Sequence, residues 1–154
     1  MPAPGERDPL IEIADAAEVW VLAALMVIHP CAVPRVTPII KPGDFFRERH
    51  RWIYEACLRA AALRPDPLPA GWPDTNQLSV AKQLMLAGHL DEVGGLTFLS
   101  TIIRNLMAAE PIEVYAAEVA DCARRWRQAL QGSAMIRDAY MNRGHSLGRG
   151  GIGL

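Results

Sequence analysis

With 154 residues, 51% of them hydrophobic and 21% charged, the chain has the length of one ordinary globular domain, and folding should bury roughly 70% of the surface its unfolded chain exposes. That composition excludes wholesale disorder and fibrous repeats. Its 16 basic and 17 acidic residues leave a formal charge of -1, so the surface as a whole is no electrostatic trap for nucleic acid.

No stretch alternates apolar and polar residues at period 2, whereas helical spacing recurs throughout. The predicted fold class is therefore all-α, a compact helical bundle followed by a C-terminal helical hairpin. Residues 1–14, rich in proline and acid, read as a flexible leader. The first helix runs from about Ala16 to Ile28; being apolar on every side, it belongs at the centre of the bundle, and Pro30 ends it. Pro34 and Pro38 limit residues 31–40 to a helical turn or two. Lys41-Pro-Gly-Asp44 reads as a turn, with Asp44 placed to cap a helix that presents Phe45, Phe46, Trp52, Ile53, Ala56, Cys57 and Ala60 and ends near Leu63. Pro65, Pro67, Pro69 and Pro73 make residues 64–76 an extended loop.

A third helix starts near Thr75 or Asn76 and carries Leu78, Ala81, Leu84 and Met85 to Ala87, where Gly88 provides a left-handed stop. His89 to Gly95 bends the chain. A fourth helix, Leu96 to about Met107, sets Leu99, Ile102, Ile103 and Leu106 on one face, and Pro111 suits the first turn of the next. From Ile112 to Gln131 the residues Ile112, Tyr115, Val119, Cys122, Trp126 and Leu130 fall three or four apart, giving a rod of ~30 Å with a narrow apolar stripe. Gly132-Ser133 interrupts this pattern, and Ala134 to Tyr140 resumes it with Met135, Ile136, Ala139 and Tyr140 facing one way. The division expected is thus a leader at 1–14, a globular bundle at 15–110, a hairpin at 111–141 and, with five glycines, a flexible linker or tail at 142–154.

Catalytic signals are weak. A phosphate loop needs glycines followed by Lys-Ser or Lys-Thr so that amides and the ammonium meet phosphate oxygens, and the glycine-rich tail holds no lysine. His29, His50, His89 and His145 lack metal-ligand spacing, and Cys31, Cys57 and Cys122 form no CxxC pair. Asp91-Glu92 beside Gly94-Gly95 suits capping better than acid–base work, and Ser79, Ser100 and Cys57 have no neighbouring histidine in sequence. No catalytic residue, cofactor or metal is expected. The longest apolar run, Val19 to Ile28, is 10 residues, about half of the ~20 needed to cross a bilayer, and no basic n-region precedes it. The expected setting is the reducing cytoplasm.

Charge is unevenly distributed along the chain. Residues 1–121 hold sixteen acids and ten bases, whereas 122–154 hold six arginines and only Asp138. Arg124-Arg125-Trp126-Arg127 is the one cluster mixing guanidinium and aromatic groups, a candidate contact for nucleic acid or a partner. Trp126 belongs to the stripe, which leaves Arg124, Arg125 and Arg127 on the solvated face. A hairpin outside a bundle has little chain to cover its seam. Tyr115, Val119, Cys122, Trp126, Leu130, Met135, Ile136 and Tyr140 are accordingly the expected subunit interface.

Five segments, in order, resemble one known family. They are Ala17-Glu-Val-Trp-Val-Leu-Ala-Ala-Leu-Met26, Lys41-Pro-Gly-Asp-Phe-Phe46, His50-Arg-Trp-Ile-Tyr-Glu-Ala56, Gly88-His-Leu-Asp-Glu-Val-Gly-Gly-Leu-Thr-Phe-Leu99 and Pro111 to Tyr140. Together, over about residues 15–140, they resemble the N-terminal domain of DnaB-type replicative DNA helicases. The chain departs from that pattern at Pro34 and Pro38, in the length of the proline-rich loop, and at Ala23, which stands where the family has glycine. The resemblance implies a six-helix globule plus a hairpin through which subunits pair, building one tier of a hexameric ring as a trimer of dimers. It also implies docking of primase through its C-terminal domain, with ATP hydrolysis and translocation on DNA left to a RecA-like domain beyond a linker. The expected function is a non-catalytic oligomerisation and primase-docking module in DNA replication. The alternatives are a free-standing relative that ends at Leu154 and regulates helicase assembly, and a single-stranded DNA-binding module acting through the basic end.

Overall fold

The structure, a computed structural model, describes residues 8–28, 32–65, 67–71, 77–105 and 111–151, with side chains of the last segment as far as Ser133. Among the described residues there are seven α-helices and no strand. Helix α1, Pro9–Ile28, starts well before the predicted Ala16. Asp8 Oδ1 accepts the Leu10 N–H at 2.9 Å and Pro9 takes the first helical position, so an Asp-Pro cap turns residues 9–14 of the supposed leader into helix. Val21 to Met26 are each no more than 3% exposed, as expected for a helix that is apolar all round.

Helix α2, Val33–Val36, is a single turn, consistent with the limit set by its prolines. Asp44 does not cap the helix that follows. Its carboxylate accepts the Lys41 N–H at 2.9 Å and closes a 3-10 turn, Pro42–Asp44. Helix α3, Glu48–Ala62, begins after Arg47 with no side-chain cap and buries His50, Ile53, Tyr54, Ala56, Cys57 and Ala60. The Phe45 ring lies 4.9 Å from that of Tyr54, whose hydroxyl donates to the Ile40 carbonyl at 3.1 Å.

Helix α4, Gln77–Leu86, packs on α3 through Val80, Ala81 and Leu84. Leu78 and Met85, expected in the core, are 69% and 57% exposed. Their 3.6-residue spacing fits a helix, but the edge of the stripe that meets α3 is the Val80 to Leu84 edge. Gly88 ends α4 with φ +79°, and Gly94 (φ +105°) and Gly95 (φ +68°) join α5, Leu90–Val93, to α6, Gly95–Arg104. Helix α6 packs on α1 and buries Leu99 and Ile102; Leu106 lies outside the described residues.

Helix α7 spans Ile112–Gly151. It passes through Gly132 and Ser133 without the turn that the broken pattern suggests, and it continues into the stretch read as a glycine-rich tail. A single glycine disfavours a helix by only ~1 kcal/mol, and propagation adds a hydrogen bond per residue without a new nucleus. Contacts divide the chain into two units, Met1–Ala123 and Arg124–Leu154. The core of the first takes in Ile112, Tyr115, Ala116 and Val119 from the start of α7.

Candidate functional site

A carboxylate at the centre of the apolar bundle is the first feature that composition alone does not explain. Glu18 is fully buried, and both its oxygens are satisfied: Oε2 accepts the Phe46 N–H at 2.8 Å, and Oε1 lies 2.8 Å from Nδ1 of His50, itself 1% exposed. At the rim Asp15 Oδ1 accepts from Arg47 Nε at 3.0 Å and stands 3.9 Å from the same imidazole nitrogen. These contacts tie α1 to the turn and to the start of α3. A carboxyl group so deep is tolerated only when it is paired and fully hydrogen-bonded, and here it ties two helices together.

A second histidine packs against an aromatic ring. His89 stacks flat on Trp52, with centroids 4.0 Å apart and planes 7° from parallel, and its Nδ1 is 3.5 Å from Glu92 Oε1. Arg49 sits 4.3 Å above the Phe98 ring. Cys57 and Cys122 are free and buried; burial pushes the Cys57 thiol up to about 12, and burial with Glu118 beside it pushes Cys122 to about 11. Neither is poised as a nucleophile. Among the described residues no His, Cys, Asp and Glu group could hold a metal ion, and no helix is long and apolar enough to cross a membrane.

The expected subunit seam divides in two. Tyr115, Val119 and Cys122 are buried in the chain's own fold, with the Tyr115 ring 5.0 Å from that of Trp20. The bundle therefore does cover that end of the stripe, and these three residues offer no surface to a second subunit. Glu113 in the same helical turn holds Arg35 through a bidentate ion pair, which depresses the Glu113 carboxyl and raises the guanidinium pKa. Past Ala123 the pattern changes: from Arg124 to Ser133 no side chain is buried, Trp126 is half-buried and Leu130 is 54% exposed. Arg124, Arg125 and Arg127 are all exposed on this stretch. The side chains of Met135, Ile136 and Tyr140 lie outside the described residues.

Comparison with known proteins agrees with this architecture. A family model described as the DnaB-like helicase N terminal domain matches residues 12–121. The chain is 29% identical over 124 residues to the replicative DNA helicase DnaB of Geobacillus stearothermophilus, covering 80% of this chain and 25% of that protein. It is 30% identical over 125 residues to DnaB of Mycobacterium leprae, covering 81% and 19%. The crystal structure of the N-terminal domain of DnaB helicase from Mycobacterium tuberculosis superposes with a TM-score of 0.69 at 30% identity, over 81% of this chain and 84% of that one. The chain thus spans about a quarter or less of the length of these curated relatives.

Proposed function

Because the chain belongs to the DnaB helicase N-terminal domain family, we propose that it is a non-catalytic oligomerisation module of a replicative helicase, working in the cytoplasm during DNA replication. Within the 111–141 stretch, its subunit-pairing segment is the part from Arg124 onward. One observation carries this reading: from Arg124 to Ser133 no side chain of helix α7 is fully buried, and Leu130, one turn after the half-buried Trp126, is 54% exposed. Isolated helices of that length are marginal in water, and most helical stability comes from packing an apolar face. A second subunit supplies that packing, and Trp126 and Leu130, rather than the buried Tyr115, Val119 and Cys122, are its contact residues. The absence of a Gly-x-x-x-x-Gly-Lys-Ser/Thr motif from the sequence supports a module without its own ATPase activity. The exposed face also serves as a platform for the C-terminal domain of primase.

Light scattering on the purified chain tests the pairing. Trp126→Asp and Leu130→Asp should each lower the mass toward that of a monomer without loss of helix signal, since a charge in an apolar seam is poorly tolerated and neither side chain belongs to the core. Unchanged mass in both variants overturns the assignment. Primase docking is tested separately by titrating its C-terminal domain into the chain, where no heat and no shift in sedimentation would count against it.

A further inference from the structure

Along one side of α1, Glu12, Asp15, Ala16, Val19 and Trp20, with Asn105 after α6, line a cleft of about 420 Å3. Small-ligand sites run from ~300 to ~1,000 Å3, so a cleft at the lower end suits one extended side chain or a molecule of that size. One wall is aromatic, because the Trp20 ring lies 5.0 Å from that of Tyr115 at 55°, and Ala16 and Val19 make the lining aliphatic. Its charge is one-sided. Asp15 already accepts from Arg47 Nε at 3.0 Å, whereas among the described residues nothing engages the carboxylate of the exposed Glu12. Asn105 Nδ2 donates to the Thr101 carbonyl at 2.8 Å, which leaves the carboxamide oxygen as an acceptor. Arg104, the cation next in sequence, donates to Thr101 Oγ1 at 3.1 Å and is not part of the lining.

One carboxylate without a counter-charge, beside an indole and an amide oxygen, calls for a single flat cation on an apolar stem. An arginine side chain has these properties. Its stem packs on Ala16 and Val19, its guanidinium lies against the indole, and its forked N–H groups reach the Glu12 carboxylate and the Asn105 oxygen. Lysine brings a compact, strongly hydrated charge with neither the plane nor the fork. Phosphates and other anions meet Glu12 and Asp15 and are repelled. Free arginine carries its own carboxylate into the same field, so an arginine within a peptide, flanked by neutral amides, fits better. Arg124, Arg125 and Arg127 of this chain already have partners of their own. We propose that the Glu12–Trp20 cleft is a docking site for an arginine side chain presented by an exposed segment of a different protein. Every residue of the cleft belongs to the Met1–Ala123 unit and none to the pairing stretch, so the site is separate from self-association.

The test is an NMR titration of the isotope-labelled full chain with short acetylated and amidated peptides whose central residue is arginine, lysine or citrulline, the last keeping the shape of arginine without its charge. The arginine peptide should shift the amides of Glu12, Asp15, Val19 and Asn105 and the Trp20 indole N–H, with a dissociation constant on the order of 1 mM. Lysine should bind about threefold more weakly and citrulline about tenfold more weakly. Glu12→Gln should weaken the arginine peptide about fivefold or more with the helix signal intact. Asp91→Asn, which removes an exposed acid outside the cleft, should stay within about twofold of wild type. No shift at these positions with ~10 mM arginine peptide overturns the site, as does citrulline binding as well as arginine. Equal binding by Glu12→Gln and wild type overturns the role of the free carboxylate and the site with it. Free L-arginine binding as tightly as the peptide makes the ligand a small molecule and overturns docking of a protein. Shifts of the same amides on concentrating the chain without peptide give the cleft to a second copy and overturn it too. A chain that proves monomeric would refute self-association while leaving the expected titration unchanged.

Discussion

Removal of the Glu18 carboxylate probes the lock between α1 and α3. In Glu18→Ala the Phe46 N–H loses its acceptor, and His50 Nδ1 loses its hydrogen-bond partner, at a place where Glu18 and His50 are 0% and 1% exposed. Each stranded buried group costs about 1–3 kcal/mol, and breaking one side of a buried pair costs about 3–5 kcal/mol in all. A domain of this size has only about 5–15 kcal/mol in hand, so the melting temperature should fall by roughly 10 °C or more. Urea denaturation of Glu18→Ala, His50→Ala and the double variant, followed by circular dichroism, gives the coupling between the two sites directly. A coupling of about 2 kcal/mol or more is expected, with Glu18→Leu/His50→Leu recovering much of the loss because two apolar side chains leave no charge or donor stranded. Additive losses, with coupling below about 0.5 kcal/mol, would refute the lock.

Gly95→Val should destabilise by about 1–2 kcal/mol, because φ is +68° although the space around it is open; Gly94→Ala should cost more, since at φ +105° a Cβ would also come within 2.9 Å of the Phe98 Cβ. Thermal melts of the two variants check this, and unchanged melting temperatures would contradict the backbone assignment. The Cys57 thiol, pushed to about 12 by burial, is thiolate to only about one part in 10^4 at pH 8. Alkylation followed by peptide mapping should label it only after urea unfolding, and rapid labelling of the native chain would show that it is open. Alkaline stability depends on Tyr54, whose pKa burial raises from 10.0 to about 12. Above pH 10 the unfolded chain ionises this tyrosine before the folded chain does, so stability present below pH 10 is lost as pH rises toward 12, by about 2–3 kcal/mol. Urea midpoints at the two ends of that window measure the loss, and Tyr54→Phe should lessen it; an equally steep decline in the variant would place the cause elsewhere.

The parts of the fold that were legible in the sequence are those where one local force dominates. Val21 to Met26 are apolar on every side, so α1 has to be central, and Gly88 and Gly95 sit where only glycine adopts positive φ without strain. Asp8-Pro9 carries a start signal of equal quality, but a proline-rich, acidic surrounding drew it into the leader. Periodicity gave the existence of α4 but not its buried edge, because Leu78, Ala81, Leu84 and Met85 share a stripe wider than the contact with α3. Glu18 and His50 lie 32 residues apart in sequence; the only sign of their pairing was Glu18 as the one acid in the apolar run from Ala16 to Ile28, which by its desolvation cost demands a partner without saying which. Asp44 shows the reverse case, a capping residue correctly placed at a turn that spends its carboxylate backward on Lys41 instead of forward on α3. For the candidate interface, spacing put Tyr115, Val119, Cys122, Trp126 and Leu130 on one stripe, but tertiary packing decides where on it the chain's own core ends, which is at Ala123.

Self-association is the claim on which the functional account turns, and the mass of the chain in solution tests it most directly. Sedimentation equilibrium across a wide concentration range should return at least twice the chain mass of 16.9 kDa, falling toward the monomer only on dilution. A mass of 16.9 kDa at every concentration would contradict the account.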